Sequence, residues 1–472
     1  MRPAIRAALL AALCGLLALL AALPAAAAPL RVGLTGKYPP FNYFDESGKL
    51  TGFDVEFAEA VCTELARPCH FEILAWDGII AALLAGKIDA VIGSMAITEE
   101  RSRVVAFSAP YYESGAQLFV RAGLGAEAQR RPGLRVGVTL GTTYEAFVRE
   151  ALPEAEIRTF KGDPEIFQDL GAGRLDAVVT DRLAGSWLNI RRGAGLELAG
   201  EPLYRERIGI PVRPEDTALL ADLDRAVARV RASPAYPALM ERYFGPSAAA
   251  PAEDSGLRWS RVAPLLFKGF VATARAASTG VGLGCALAIA LAAATIALRG
   301  IARRALTFVI DFVRATPFLV QLFALYFGLP AAGVELGPWT AAVLAIALHS
   351  AAYLSEVIKT AYLGVPPGQH QAAATLGLTR MEALRHVVVP QMLPQLTAPA
   401  LNTVVAMIKD SAVISVIGVY ELTLQAQQLV STTFRPLELY LAAAMLYFAL
   451  TYPLLLLGRV QEQRARARGL LA

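Results

Sequence analysis

The feature that most constrains this chain is a series of long apolar stretches in its C-terminal half. Their approximate limits are 270–298, 306–329, 339–357, 393–419 and 439–458. Each is near the ~20 residues that a helix needs to cross the hydrocarbon core of a bilayer. We therefore expect an all-α domain of about five transmembrane helices over residues 263–460, in contact with membrane lipid, and a cytoplasmic tail at 461–472.

The basic residues of this half predict its orientation. They concentrate after the first and third stretches and in the tail: Arg299, Arg303, Arg304, Lys359, Arg380, Arg385, Arg459, Arg464, Arg466 and Arg468. The other two connections contain Arg435 as their only basic residue. Because basic connections stay in the cytoplasm, the first helix is expected to begin outside and the C-terminus to lie inside.

The net charge of +4 is an average over two different halves. Residues 29–256 carry a net charge of −7, and residues 257–472 carry +9. A nucleic-acid partner is disfavoured, because the positive half is also the apolar half.

Residues 1–28 are typical of an export signal. Arg2 and Arg6 precede an apolar run that ends in a string of alanines, the order of a charged start, a hydrophobic stretch and a cleavage region. An uncleaved signal anchor is the alternative. Both interpretations place the following domain outside the cytoplasm, where Cys62 and Cys69 could form a disulfide or remain two free thiols.

Residues 29–245 contain an internal repeat, and a linker rich in Pro, Ala and Ser follows at 246–262. The sequence at 30–36, LRVGLTG, recurs at 134–141 as LRVGVTLG, and AGKIDAVIG at 85–93 recurs at 172–180 as AGRLDAVVT. Alternating strands and helices indicate parallel α/β packing. Two copies indicate two lobes, one at about 29–117 and 212–245 and the other at about 120–210. Ligands of such sheets gather beyond the carboxyl ends of the strands.

Several motifs of this half occur in an order that resembles the polar-amino-acid-binding proteins of bacterial ABC importers. They include YPPFNYFDESGKLTGFDVEFAEAV, WDGIIAALLAGKIDAVIGSMAITEERSRVVAFSAPYY, GTTYEAFV and AGRLDAVVTD. The resemblance implies the bilobed type II periplasmic-binding-protein fold and an amino-acid ligand. It also implies a disulfide between Cys62 and Cys69, whose spacing commonly carries one in that family.

The resemblance implies a role for each matching position. Arg101 would bind the ligand α-carboxylate and Asp181 the α-ammonium. The other contacts would come from hydroxyl and backbone groups and from two aromatic walls: Gly93, Ser94, Ala96, Thr142, Thr143, Tyr38 and Trp76.

Each of these residues also has a plain structural alternative. Arg101 could be a solvated residue in a helix that starts at Thr98, and Asp181 could be only an N-cap. Tyr38 and Trp76 could be core aromatics.

Two departures from the family pattern bear on specificity. Thr35 stands where relatives that bind cationic ligands carry an acid, and Ala96 stands where Ser or Thr is common. We therefore expect a neutral polar amino acid such as glutamine, or cystine, rather than a strongly cationic one.

The apolar half resembles polar-amino-acid ABC permeases, through RATPFLVQLFALYFGLP, HSAAYLSEVIK and the segment at 365–419. The resemblance implies an ATPase-coupling loop at Gln371, Ala372, Ala373 and Gly377, although Gln371 stands where many relatives have Glu. A solvated loop is the alternative. Lys409 and Asp410 fall inside the fourth stretch, where ionisable groups usually face a bundle interior or a cavity; a purely structural role is the alternative.

The sequence contains no phosphate-binding motif G-x-x-x-x-G-K-[ST], so the ATPase is expected on a separate chain. Neither a metal site nor a cofactor is expected, and the subunit is not expected to be an enzyme. With about five helices per chain, we expect a homodimer through the transmembrane domain.

Two alternative functions use the same bilobed domain. The first is a ligand-gated channel, but such channels interrupt the sensor domain with the pore, and this sequence contains no Thr-Val-Gly-Tyr-Gly filter. The second is a periplasmic dehydratase, which would not explain the attached permease.

Overall fold

The computed structural model describes residues 28–45, 47–125, 131–192, 195–245, 257–433 and 435–467. Residues 1–27 of the predicted export signal, residues 246–256 of the predicted linker and residues 468–472 of the predicted tail lie outside this part. The predicted fold class is confirmed, since a bilobed α/β domain precedes a helical domain.

The first lobe is built around β1, which pairs in parallel with β5 on one side and β6 on the other. Its strands are β1 (Leu30–Leu34), β2 (Lys37–Tyr38), β3 (Asn42–Phe44), β4 (Leu50–Thr51), β5 (Cys69–Ile73), β6 (Ala90–Val91), β7 (Ala106–Phe107) and β14 (Pro211–Val212). Its helices are α1 (Phe53–Glu64), α2 (Ile79–Leu84), α3 (Glu99–Ser102), α7 (Thr217–Ala232) and α8 (Ala235–Phe244).

The second lobe repeats this arrangement around β9, which lies between β10 and β11. Its strands are β8 (Tyr112–Arg121), β9 (Arg135–Thr139), β10 (Glu156–Phe160), β11 (Ala177–Asp181), β12 (Leu196–Leu198) and β13 (Tyr204–Ile208). Its helices are α4 (Thr143–Ala151), α5 (Asp163–Gly171) and α6 (Arg182–Arg192). Strand β8 extends the sheet in the antiparallel sense and pairs with β11, β12 and β13.

The internal repeat of the sequence corresponds to a repeated ion pair. In the first lobe Arg31 Nη2 lies 2.7 Å from Asp89 Oδ1, and in the second Arg135 Nη2 lies 2.7 Å from Asp176 Oδ1. Each pair joins the strand around which its lobe is built, β1 or β9, to the residue just before the neighbouring strand, β6 or β11. Both are two-bond contacts, because the Nε atom of each arginine also donates to the carboxylate, which fixes geometry as well as charge.

The lobes are connected between β7 and β8 and again between β13 and β14. Strand β8 already joins the second sheet at Tyr112, where it pairs with Ile208, earlier than the expected boundary at 117. The reason is that β8 is one continuous strand, so no turn residue marks the crossing in the sequence.

A disulfide closes the connection from α1 to β5. Cys62 and Cys69 are bonded, with their Cα atoms 5.7 Å apart. The predicted pairing is confirmed, and the alternative of two free thiols is wrong.

The helical domain contains four helices, within the described residues, that are long and apolar enough to cross a membrane: Trp259–Ala297, Pro338–Leu363, Arg380–Ile417 and Pro436–Ala465. Its helices are α9 (Trp259–Ala297), α10 (Gly300–Ala315), α11 (Phe318–Phe323), α12 (Pro338–Leu363), α13 (Pro367–Thr375), α14 (Arg380–Ala383), α15 (Val389–Asp410), α16 (Leu422–Thr433) and α17 (Pro436–Ala467). A π-helical segment, Leu384–Val388, joins α14 to α15, and a 3-10 helix, Ser411–Ile417, follows α15.

The second predicted span is bent rather than straight. Helix α10 and the segment Phe318–Gly328 meet at 107°. The break lies at Thr316, which is extended, and Pro317. Proline has no N–H for a helical hydrogen bond, and it disfavours helical geometry at the residue before it. The expectation of one continuous helix over 306–329 is therefore wrong, and a fifth crossing requires the bent pair to act as one span.

The bilobed domain rests on the helical domain, and the first lobe makes the following contacts. Lys87 Nζ donates to the carbonyl oxygen of Leu336 at 2.8 Å and lies 4.8 Å from the ring centroid of Tyr326. The rings of Phe44 and Tyr420 pack edge to face with centroids 6.2 Å apart. These contacts bring the opening between the lobes against the helices.

Candidate functional site

One cavity lies between the two lobes and encloses about 170 Å³. This is room for on the order of ten water molecules, which suits a small organic ligand. Every predicted ligand contact except Asp181 lines it: Tyr38, Trp76, Gly93, Ser94, Ala96, Arg101, Thr142 and Thr143. Most of them follow the carboxyl ends of parallel strands, as the topology predicts.

Arg101 faces this cavity from the short helix α3. Thr98 caps the helix, and its Oγ1 accepts from the backbone N–H of Arg101 at 3.2 Å. The guanidinium donates to the carbonyl oxygen of Ala96 at 3.1 Å, and its Cζ lies 5.5 Å from the ring centroid of Trp76. Burial lowers the pKa of Arg101, while the charge of Glu206 opposes that shift. The helix start therefore positions the guanidinium at the cavity instead of leaving it in solvent.

The second lobe contributes hydroxyl groups and a carboxylate. Thr142 caps α4, and its Oγ1 donates to the carbonyl oxygen of Thr139 at 2.6 Å. The hydroxyl of Thr143 donates to the carboxylate of Glu206, which is 7% exposed. Burial raises the pKa of Glu206, although the Thr143 hydroxyl and the charge of Arg101 lower it. The cavity carboxylate whose charge acts on Arg101 is thus Glu206, a residue outside the predicted ligand contacts.

Asp181 lies behind the cavity wall. Its Oδ1 accepts from the backbone N–H of Leu183 at 2.7 Å and of Ala184 at 3.1 Å, so it caps α6. The carboxylate is 1% exposed, and burial raises its pKa to about 7. Its charge nevertheless acts on Tyr38 and Tyr144, two cavity residues. The predicted contact between Asp181 and the ligand ammonium stays a prediction.

The hydroxyl of Ser94 is committed to a network inside the first lobe. It donates to Asp54 Oδ2 at 2.8 Å. The same carboxylate accepts from Asn42 Nδ2 at 2.8 Å and from the Tyr111 hydroxyl at 2.7 Å. Burial raises the pKa of Asp54 to about 6, even though these three donors oppose the shift. The network fixes the loop that carries Gly93, because a buried carboxylate needs all of its partners.

The two predicted aromatic walls differ in what they do. Tyr38 stacks on Phe41 with ring centroids 5.1 Å apart, and burial holds its pKa well above the usual range, so it remains a neutral phenol. Trp76 reaches across the cleft, where its Nε1 donates to the carbonyl oxygen of Gly141 at 3.2 Å. Trp76 thereby joins the first lobe to the second.

Several cavity residues were missed by sequence reasoning. They are charged or polar residues of both lobes and four residues of the helical domain: Lys37, Tyr144, Lys161, Asp163, Glu206, Ser415, Val416, Leu424 and Gln427. A signal existed for Glu206, because it shares the inward face of β13 with Ile208, and an acid at a buried strand position needs a reason. No comparable pattern marks the residues of the helical domain.

The predicted coupling loop forms a short helix and a turn. Gln371, Ala372 and Ala373 lie in α13, where Ala373 is buried and the other two are exposed. Gly377 follows in the turn before α14, with φ of +76°. A mostly exposed helix closed by a tight turn is free to enter a groove on another subunit, and that role stays a prediction.

Lys409 and Asp410 are the last two residues of α15, and both are exposed in the single chain. They lie apart from the cavity between the lobes. Over the part of the chain that the structure describes, no group of His, Cys, Asp or Glu side chains has an arrangement that could hold a metal ion.

Two families match this chain in tandem. Residues 30–246 match the bacterial extracellular solute-binding proteins, family 3, and residues 280–467 match the inner membrane component of binding-protein-dependent transport systems.

Curated relatives cover the first half of the chain. The L-cystine-binding protein TcyJ of Escherichia coli strain K12 is 38% identical over 219 residues, which are 46% of this chain and 82% of the relative. ABC transporter arginine-binding protein 1 of the same strain is 33% identical over 46% of this chain and 92% of the relative. The histidine-binding periplasmic protein of that strain is 33% identical over 46% and 87%. The chain therefore belongs to the bacterial extracellular solute-binding proteins of family 3, here fused to the inner membrane component of a binding-protein-dependent transport system.

Proposed function

We propose that this chain is the substrate-binding and permease subunit of an ATP-driven importer of polar amino acids. The binding domain lies outside the cytoplasm, captures the ligand between its lobes and delivers it to the helical domain of the same chain. A separate ATPase subunit supplies the energy, since the sequence has no phosphate-binding motif. Closure of the lobes around the ligand is a hinge motion about their two connections.

The observation that carries this proposal is the position of Arg101 in a cavity that both lobes and the helical domain line together. A guanidinium binds a carboxylate through two parallel hydrogen bonds. Asp181 and Glu206 both act electrostatically on Tyr144 in the cavity wall, so negative charge is available for an ammonium. A free α-amino acid carries both complementary groups.

The side chain of the ligand is neutral and polar, or the ligand is cystine. At the position where relatives that bind cationic ligands carry an acid, Thr35 donates its hydroxyl to Asn42 Oδ1 at 2.9 Å. Lys37 and Lys161 also line the cavity, together with the acids Asp77, Asp163 and Glu206, and each of the two lysines repels a cationic side chain that approaches it. The relative that binds L-cystine is 38% identical. Two relatives that bind arginine are 33% and 36% identical, and one that binds histidine is 33% identical.

Two copies of the chain assemble through their helical domains, because about five crossings per copy are few for an enclosed pathway. The basic connections face the cytoplasm, which places α13 and Gly377 on the side of the ATPase. Helix α13 then transmits the ATP-driven change to the membrane helices.

Calorimetric titration of the full chain in lipid nanodiscs, against the proteinogenic amino acids and cystine, tests the proposal. We expect Arg101→Ala to weaken binding at least about 100-fold, since two hydrogen bonds to a charged partner contribute ~1.5–3 kcal/mol each. Arg103→Ala is the matched control, because Arg103 is exposed and pairs with Glu99 at 2.7 Å. Unchanged affinity in the Arg101 variant would refute the site, and uptake into vesicles without any ATPase would refute the importer.

A further inference from the structure

The helical domain closes the mouth of the ligand cavity. Ser415, Val416, Leu424 and Gln427 line it together with both lobes. Helix α16, which carries Leu424 and Gln427, contacts β2 and β3 of the first lobe and α5 of the second. A ligand in this cavity therefore meets side chains of the permease as well as those of the binding domain.

The closing segment is held in place by close packing. An added Cβ at Gly418 would lie 2.2 Å from the carbonyl oxygen of Ile73, so two backbones touch there. The neighbouring Tyr420 packs against Phe44. Close-packed contacts of this kind leave no space for movement. The packing at Gly418 and Tyr420 therefore holds Gln427 in position relative to the lobes, independently of the contacts that the Gln427 side chain makes.

Lys37 and Gln427 make the polar contact at this closed end. The Lys37 ammonium, on β2, donates to Gln427 Oε1 on α16. Burial lowers the pKa of Lys37 to about 8, so the group is still a cation at neutral pH. The charges that act on it come from both lobes and from the permease, namely Glu165, Lys161, Glu421 and Asp77.

Arg101 and Lys37, two of the three cations that line the cavity, have separate partners. Arg101 is held by Thr98, Ala96 and Trp76, all in the first lobe, whereas the partner of Lys37 belongs to the permease. An amino acid bound through its α-carboxylate at Arg101 has its side chain left to meet Lys37, the cation that the permease contacts.

We propose that Lys37 and Gln427 form the subsite for the ligand side chain, so that the permease contributes a specificity-determining residue to the binding site. This inference rests on the proposed function, because it assumes an amino acid held at Arg101. An ammonium offers only donors, whereas a carboxamide offers both donors and an acceptor. The matching side chain carries an oxygen acceptor together with N–H donors, as a carboxamide or the second head of cystine does.

Other side chains fit this subsite poorly. A guanidinium that contacts Gln427 meets the like charge of the Lys37 ammonium, although Asp77 and Asp163 also line the cavity. An apolar side chain leaves the Lys37 ammonium desolvated without an acceptor from the ligand, which is costly for a charged group.

Gln427→Glu in the full chain tests the subsite, since it keeps an acceptor for Lys37 and adds one negative charge. Calorimetric titration in nanodiscs with L-glutamine and L-arginine gives the ratio of the two affinities. We expect the ratio to move toward L-arginine by about tenfold or more. Gln391→Glu is the matched control, because Gln391 contacts Gln369 in the helical domain at 3.2 Å instead of the cavity, and its ratio should equal that of the wild type.

A second variant, Gln427→Leu, removes the polar group altogether. We expect it to weaken L-glutamine about tenfold and to leave L-alanine unchanged, because the alanine side chain is too short to reach the subsite. An unchanged affinity ratio in Gln427→Glu, or an equal loss for L-glutamine and L-alanine in Gln427→Leu, overturns the inference while the proposed function stands. A wild-type chain that binds no amino acid overturns both.

Discussion

Replacement of Gly418 by alanine should undock the binding domain from the permease. Gly418 ends the 3-10 helix Ser411–Ile417 in the left-handed conformation, with φ of +81°. A Cβ atom at this position would lie 2.2 Å from the carbonyl oxygen of Ile73, against the 3.0 Å below which real Cβ contacts essentially never fall. The nearest atom is backbone, so the clash cannot be relieved by a side-chain rotation.

The expected shift of the docking equilibrium is estimated from two separate free-energy costs, backbone strain and overpacking. The left-handed conformation costs an alanine ~1–2 kcal/mol, but this strain is present in docked and undocked chains alike. The overpacked contact exists only in the docked state, and overpacking typically costs ~1–3 kcal/mol. The docking equilibrium should therefore shift by roughly 5- to 150-fold toward the undocked state.

A cross-link measures this shift directly. Lys87→Cys and Leu336→Cys place one thiol on each side of the interface where Lys87 Nζ donates to the carbonyl oxygen of Leu336, and Cys285→Ser removes the free cysteine of α9. A short bifunctional thiol reagent should cross-link these two cysteines in the chain that keeps Gly418. The cross-linked fraction should be much lower in the chain that also carries Gly418→Ala. Gly300→Ala is the control for strain alone, because Gly300 has φ of +59° and an added Cβ there would meet nothing within 4 Å. Equal cross-linking in both alanine variants and the parent would refute the reasoning.

Two further predictions concern the binding domain. Without ligand the pKa of Asp181 is about 7, and a ligand ammonium lowers it, so binding at pH 7 should release up to about half a proton. Calorimetry in buffers of different ionisation enthalpy measures this release, which Asp181→Asn should abolish; net proton uptake would contradict it. Replacing Cys62 and Cys69 by serine should lower the free energy of unfolding by ~2.5 kcal/mol, because the loop constraint is lost. Urea unfolding checks this value, and equal stability of the two chains would contradict it.

The repeated architecture of the binding domain could be predicted because its signals are local. The motifs that recur in the sequence carry Arg31 and Asp89 in one copy and Arg135 and Asp176 in the other, and the structure pairs them in the same way. Strand length, β-branched residues and the glycines between elements are properties of short windows. They suffice to place the cavity at the carboxyl ends of the strands.

The bend in the second apolar stretch also had a local signal, at Pro317, but hydropathy alone does not register it. A window of apolar residues predicts that a segment lies in the membrane, but it does not predict that the segment is one continuous helix. The missing hydrogen bond at proline decides continuity, and the chain turns by 107° there.

The closure of the cavity by the permease could not be predicted, because it depends on contacts between distant parts of the chain. Lys37 and Gln427 are 390 positions apart in the sequence, and neither belongs to a periodic pattern or a motif. Their contact follows from how one domain seats on another, which is set by packing at Gly418 and Tyr420 rather than by local propensity. Single sequences carry no signal for such a fit.

Four ionisable groups in or behind the cavity wall share one physical trend, and that trend favours a zwitterionic ligand. Burial raises the pKa of Asp181 and Glu206 and lowers the pKa of Lys37 and Arg101. Each shift means that the charged form lacks the stabilisation it would have in water. A ligand charge of opposite sign restores it in low dielectric, where the interaction is strong. A simple amine stabilises only the charged carboxylates, and a simple carboxylate stabilises only the charged Lys37 and Arg101. An amino acid stabilises both sets at once. Selectivity for amino acids thus arises from the shared burial of the two sets, in addition to the hydrogen bonds that each group makes.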